Sequence, residues 1–282
     1  MSQTVVLLIS CPDQRGLVAR VASLLYEQGA NILHADQHQD HAEGLFFMRV
    51  EWETEQQDLE EFRRAFQLLA EELNMRWQLR ERSRPLRLAL FVSQHLHCLA
   101  DLLYRWKAGE LACEIPLVVS NHPDGRALTE FYKIPFVHLP ITKATKTTVE
   151  QQQLALAREH GVDLVVLARY MQILSPEFVR ELPKKILNVH HSFLPAFIGA
   201  KPYHAAFARG VKLIGATSHY VTEVLDDGPI IEQDVVRISH RDQVEDLIAH
   251  GRDLERVVLS RAVRWHIEGR ILCYGNKTVV FD

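Results

Sequence analysis

The sequence predicts an α/β protein in two parts. A ferredoxin-like βαββαβ unit is expected over residues 1–82, a linker over 83–86, and a Rossmann-like, mainly parallel sheet over 87–282. Three observations carry this. Apolar runs of strand length alternate with stretches of helical spacing, the pattern of sheets covered by helices. The charge divides: residues 1–86 hold 9 Arg, no Lys and 14 Asp plus Glu, whereas the remainder holds 23 basic and 22 acidic residues. The polar stretch Glu81–Pro85 ends in a helix-breaking proline where that change occurs.

Composition narrows the function classes. The chain has 282 residues, 47% of them hydrophobic and 24% charged, which is globular composition with length enough for two cores. A net charge of −4 argues against a nucleic-acid partner. No apolar run approaches the ~18–20 residues of a membrane helix, and no leader pattern opens the chain, so no membrane partner and a cytoplasmic location are expected. Cys11, Cys98, Cys113 and Cys273 show no C-x-x-C spacing and are expected as unpaired thiols.

In the N-terminal part, Thr4 to Ser10 is an apolar run that reads as a buried strand. Cys11-Pro12-Asp13 breaks it. Gly16 to Gln28 places Leu17, Val18, Val21, Ala22, Leu24 and Leu25 on one helical face, stopped by Gly29. Strands follow at Asn31 to Asp40 and Leu45 to Trp52, a helix at Leu59 to Leu73, and a short strand at Trp77 to Leu79. That order is the split βαβ arrangement.

The run CPDQRGLVARVASLLYEQGANI, Cys11 to Ile32, resembles an ACT domain, the small-molecule sensor of many amino-acid enzymes. The resemblance implies pairing between copies, hence a homo-oligomer. It also implies an effector near Asp13, Arg15, Gly16, Gly29 and Asn31, with methionine or glycine as candidates. The plainer reading of the two glycines is a turn and a helix cap.

After the linker, strands are expected at Leu86 to Val92, Ile115 to Ser120, Phe136 to His138, Leu164 to Leu167 and Ile186 to His190. Helices are expected at His97 to Trp106 and Thr148 to His160. Ligands of such sheets sit beyond the carboxyl ends of the strands. There the sequence delivers Asn188 and His190, two apart on a strand and therefore on one face. An amide donor and an imidazole aimed at one point can polarise a carbonyl and move a proton. His190-His191 is not expected to bind a metal, because adjacent strand residues face opposite ways. Asp226-Asp227-Gly228-Pro229 is a strong turn signal between hydrophobic runs, able to hold a carboxylate at a cleft.

Asn188-Val189-His190, Ser192-x-Leu194-Pro195, His219-Tyr220-Val221-Thr222 and Leu225-Asp226-x-Gly228-Pro229 together resemble the folate-dependent formyltransferases. The run LARYMQILSPEFV, Leu167 to Val179, is similar to that family's folate-pocket segment. The resemblance implies a catalytic triad of Asn188, His190 and Asp226. It implies substrate contacts at Met171, Gln172, Ile173, Leu174, Val221 and Thr222, a folate substrate, and no cofactor or metal. Two departures matter. The turn Ser93-Gln94-His95-Leu96-His97-Cys98 has no glycine, where glycinamide ribonucleotide formyltransferases open their backbone to a phosphate. Position 191 is His where those enzymes have Pro, an imidazole that orders water or caps a backbone group.

With the ACT-like segment in front, the chain resembles the hydrolytic branch of the family. That implies release of formate from 10-formyltetrahydrofolate, balancing one-carbon pools and supplying formate for purine synthesis. In that mechanism Asn188 and His190 hydrogen-bond the oxyanion, His190 also moves a proton, and Asp226 orients the water and His190 and takes the water's proton directly or through a relay. A transferase acting on an amine and a non-catalytic folate or amino-acid sensor remain as alternatives.

Overall fold

The computed structural model describes residues 3–54, 59–183, 185–195 and 202–282. The chain divides into two compact units. The first runs to Pro85 and includes Glu268–Tyr274 and Thr278–Asp282; the second is Leu86–Ile267 with Gly275–Lys277. The sequence reading assigns all of 87–282 to one domain. The structure instead groups the C-terminal segments with the first unit.

That unit contains β1 (Gln3–Pro12), α1 (Leu17–Glu27), β2 (Asn31–Asp40), β3 (Leu45–Thr54), α2 (Leu59–Glu72) and β4 (Arg76–Glu81). The sheet order is β2-β3-β1-β4, with every neighbouring pair antiparallel. Val5, Leu7 and Ile9 of β1 pack in one core with Leu17, Val21 and Leu25 of α1 and Phe62 and Phe66 of α2. Successive strand residues face opposite ways, so Leu8 points to the other face. There it joins Phe47, Leu272 and Phe281 in a second cluster. The continuous apolar run of β1 is explained by cover on both faces.

The second unit contains β5 (Leu86–Val92), α3 (His97–Lys107), β6 (Cys113–Ser120), α4 (Arg126–Phe131), β7 (Phe136–His138), α5 (Lys146–Glu159), β8 (Leu164–Leu167), α6 (Pro176–Glu181), β9 (Ile186–His190), α7 (Pro202–Arg209), β10 (Leu213–Tyr220), β11 (Ile230–Arg237) and α8 (Val244–Ile267). The strands β12 (Ile271–Tyr274) and β13 (Lys277–Val280) pair with each other. The large sheet has the order β11-β10-β9-β8-β5-β6-β7. β9, β8, β5, β6 and β7 are parallel. β10 is antiparallel to both β9 and β11, so the sheet is mixed at that edge. From β5 the chain builds outward through β6 and β7, then returns to β8 on the other side of β5. A ligand crevice is expected at such a reversal, beyond the carboxyl ends of β5 and β8.

Helix α8 escapes the sequence reading. Its buried face carries Gly251, Glu255, Ser260 and His266 among its aliphatic residues, so the apolar stripe is interrupted. Among the described residues no helix is long and apolar enough to cross a membrane.

Candidate active site

Strand β9 delivers Asn188 and His190 at its carboxyl end, and β10 runs antiparallel beside it with His219 opposite Asn188. The Asn188 amide nitrogen donates to His219 Nε2 at 3.2 Å, while His219 Nδ1 donates to its neighbour's carbonyl, Tyr220 O, at 2.9 Å. The two contacts agree on one neutral tautomer, with the proton on Nδ1. Burial lowers the His219 pKa, against the carbonyl hydrogen bond and the charge of Asp226, which raise it.

Asp226 follows β10 in the expected turn, with a left-handed φ of 55°. Its Oδ1 lies 3.3 Å from His190 Nδ1 and 3.8 Å from His219 Nε2. Burial would raise the Asp226 pKa, but the His190 hydrogen bond and the neighbouring imidazoles hold it below its ordinary value. The turn reaches this position because residue 228 is glycine: a Cβ there would overlap the Tyr220 carbonyl. With Nδ1 of His190 facing the carboxylate, Nε2 is the free ring nitrogen. It is buried and has no hydrogen-bond partner among the described residues.

These groups line a cavity of about 360 Å³. The structure brings all nine catalytic and substrate-contact candidates to it: Asn188, His190, Asp226, the segment Met171–Leu174, Val221 and Thr222. Met171 and Ile173 are exposed, giving the cavity an apolar rim suited to a flat heterocycle. The segment is held from β5: Ser93 Oγ accepts the Met171 N–H at 2.9 Å and donates to Asn121 Oδ1 at 2.6 Å. The loop after β9 is held by Thr217, whose hydroxyl donates to Ser192 O and accepts from Leu194 N.

Further groups lie close by. His191 is buried, and desolvation, with the charges of Arg169 and His190, takes its pKa down to about 4. Arg169 follows β8 with a left-handed φ of 63°, and its Nε is 3.3 Å from Glu255 Oε2. Glu255 also accepts from Tyr203 OH at 2.7 Å and contacts His97 Nε2 at 2.7 Å. His97, Cys98 and Glu255 offer ligand atoms within 4.8 Å of one another. Arg169 already supplies the cation to that carboxylate, so the group reads as an ion cluster.

The sequence reading missed His219, Arg169 and Glu255 as site residues. A signal existed for His219, which opens the quoted run His219-Tyr220-Val221-Thr222. Nothing local marks Glu255, which is an ordinary helix residue until the fold buries it.

The effector candidates separate. Asp13 and Gly16 line an open surface concavity with Gln37 and Gln39. Arg15, Gly29 and Asn31 are not among its lining residues. Gly16 and Gly29 have φ of 88° and 72°, which supports the reading of a helix start and a helix stop.

The formyl transferase family model matches residues 86–263, and the ACT domain model matches residues 5–67. A formyltetrahydrofolate deformylase of Synechocystis is 56% identical over 99% of this chain and 98% of its own length. The chain belongs to the formyltetrahydrofolate deformylase family. A family member from Bacillus subtilis is 50% identical over 98% of this chain and 93% of its own. The crystal structure of a formyltetrahydrofolate deformylase from Pseudomonas syringae superposes with a TM-score of 0.96 at 50% identity, covering 99% of this chain and 95% of that one. Glycinamide ribonucleotide transformylase 1 from Symbiobacterium toebii superposes with a TM-score of 0.66 at 30% identity, covering 70% of this chain and 95% of that one. In this deformylase-family chain the glycine-free turn after β5 presents side chains: Ser93 to the Met171 N–H and His97 to Glu255.

Proposed function

We propose that this protein hydrolyses 10-formyltetrahydrofolate to formate and tetrahydrofolate. The observation that carries the reading is His190 held by Asp226 through Nδ1, with Nε2 unpartnered in a cavity that Asn188 and the Met171–Leu174 segment also line. The Asn188 amide nitrogen has two hydrogens; one goes to His219, and the second donates to the oxyanion.

Water bonds to the formyl carbon and gives up a proton to His190 Nε2. Asp226 stabilises the resulting imidazolium. The imidazolium then hydrogen-bonds the oxyanion and protonates N10, and the carbon–nitrogen bond breaks. One oxyanion donor is worth about 10²–10³ in rate, and a placed acid or base about 10²–10⁴. These side chains supply every proton and hydrogen bond the steps need, so the reading assigns no cofactor or metal. The pterin sits against the apolar rim at Met171 and Ile173, with Val221 and Thr222 beside it.

The experiment is incubation with 10-formyltetrahydrofolate alone and assay of formate. Release without an acceptor supports the hydrolase; turnover only with an amine, or binding without turnover, sinks it. The formate would feed one-carbon and purine synthesis in the cytoplasm. The reading includes a homo-oligomer through the ACT units and an amino-acid effector, methionine or glycine, at the concavity near Asp13 and Gly16. Calorimetry and sedimentation with each amino acid test this. No heat and no change of assembly with either removes the effector role.

A further inference from the structure

A buried charge cluster lies against the cavity and takes no part in the steps above. Glu255, on helix α8, is 1% exposed. Tyr203 from α7, His97 from α3 and Arg169 after β8 converge on its two oxygens. The helix makes room for this: a Cβ at Gly251 would overlap the Tyr203 hydroxyl.

Arg169 combines two unfavourable features. Its charged side chain is 10% exposed, and its backbone has a positive φ, a conformation L side chains rarely adopt. Features of this kind persist where the surroundings over-determine them, and they gather at functional sites. Arg169 shares the cavity wall with His190 and His191. The His191 ring is 5.0 Å from that of His190 and 6.2 Å from that of Tyr203. The cluster therefore ends at the side of the ring that does the chemistry.

We propose that Arg169, anchored by Glu255, determines the acceptor: with the His191 ring it walls off the side of the cavity next to His190, admitting water to the formyl carbon and excluding an amine. The proposal rests on the hydrolytic reading. Tyr203 and Glu255 act through Arg169 and are positioning residues.

The probe is methoxyamine, an amine unprotonated near neutral pH and bulkier than water. Attack by water forms a carbon–oxygen bond, breaks the bond to N10 and moves a water proton to N10. Attack by methoxyamine forms a carbon–nitrogen bond, breaks the same bond and moves an amine proton to N10, giving N-methoxyformamide. With both nucleophiles present and enzyme-free controls subtracted, the wild type should yield mainly formate, with a small measurable fraction of N-methoxyformamide that sets the reference ratio. The double variant Arg169→Gly/Glu255→Gln removes both charges together and puts glycine at a positive φ. It should raise the ratio of N-methoxyformamide to formate by about 10-fold or more. An unchanged ratio overturns the proposal.

Tyr203→Phe loosens Glu255 by one hydrogen bond. It should raise the ratio by about threefold with KM for the folate little changed. If the double variant does not turn over, an unmoved ratio in Tyr203→Phe overturns the proposal. A wild type that releases no formate sinks the hydrolytic reading itself. A hydrolysing wild type whose variants keep its ratio sinks only the acceptor wall.

Discussion

Asp226 lies between two imidazoles, near His190 Nδ1 and His219 Nε2, and so fixes which nitrogen of His190 is left unpartnered among the described residues. Asn188→Ala, His190→Ala and Asp226→Asn should each lower kcat by about 10² or more. KM for the folate should move less, since in the proposed mechanism these groups act on the reacting carbon. The losses should be far from additive, because the residues work as a unit. Steady-state kinetics of the single and triple variants checks this, and near-full activity in His190→Ala would defeat the mechanism. His191 carries a pH prediction. Its pKa falls from the ordinary 6.5 to about 4 in the fold, burial being the main cause. Between those values the unfolded chain binds the extra proton and the folded one does not, so stability falls on acidification. From pH 7 to pH 5 this residue should remove about 2 kcal/mol. Urea unfolding at both pH values should show a smaller drop in His191→Asn; an equal drop would mean that His191 is not held neutral.

Among the elements, the antiparallel pair β9–β10 carries most of the site. Its register sets His219 opposite Asn188, and the turn after β10 returns Asp226 to the same end. Gly228 permits that return. Gly228→Ala should displace the turn from Tyr220 and lower kcat by about 10-fold or more, since small misplacements at a reacting centre are costly. Wild-type kinetics in that variant would show that the turn tolerates the Cβ. In the N-terminal unit Gly29 ends α1 at a φ of 72°. Gly29→Val should lower that unit's stability by about 1–2 kcal/mol through backbone strain. Thermal unfolding detects it, and an unaltered melting curve would contradict the strain argument.

In the whole molecule, the chain's C-terminal strands contribute to a unit formed mostly by its first 85 residues. Phe281 is 1% exposed and clusters with Leu8, Phe47 and Leu272. Phe281→Ala should destabilise that unit by about 3–5 kcal/mol. The kcat with saturating folate should change little, because Asn188, His190 and Asp226, the proposed catalytic residues, lie in the other unit. Calorimetric melting with a parallel assay separates the two effects. Loss of kcat without a lower melting point would assign Phe281 a different role.

Elements whose information is local were legible in the sequence. β5 and β8 fall where their apolar runs predict, because a strand covered on both faces reads as a near-continuous hydrophobic stretch. β7 and β9 also fall at their predicted residues, β7 at the sheet edge and β9 with Asn188 and His190 at its carboxyl end. Asn188 and His190 were legible through the period of two, and Asp226 through its turn chemistry. The sequence thus determined the two α/β folds and put forward Asn188, His190 and Asp226 as candidates. The tertiary structure alone decided the rest. The neutral tautomer of His219 follows from strand register, and the burial of Glu255 from the packing of a helix whose apolar stripe is broken. The pairing of Arg169 with a carboxylate 86 positions away and the second covered face of β1 are likewise long-range. No local pattern encodes such meetings: they exist only once the backbone has closed, when desolvation makes each buried charge depend on the partner the fold delivers.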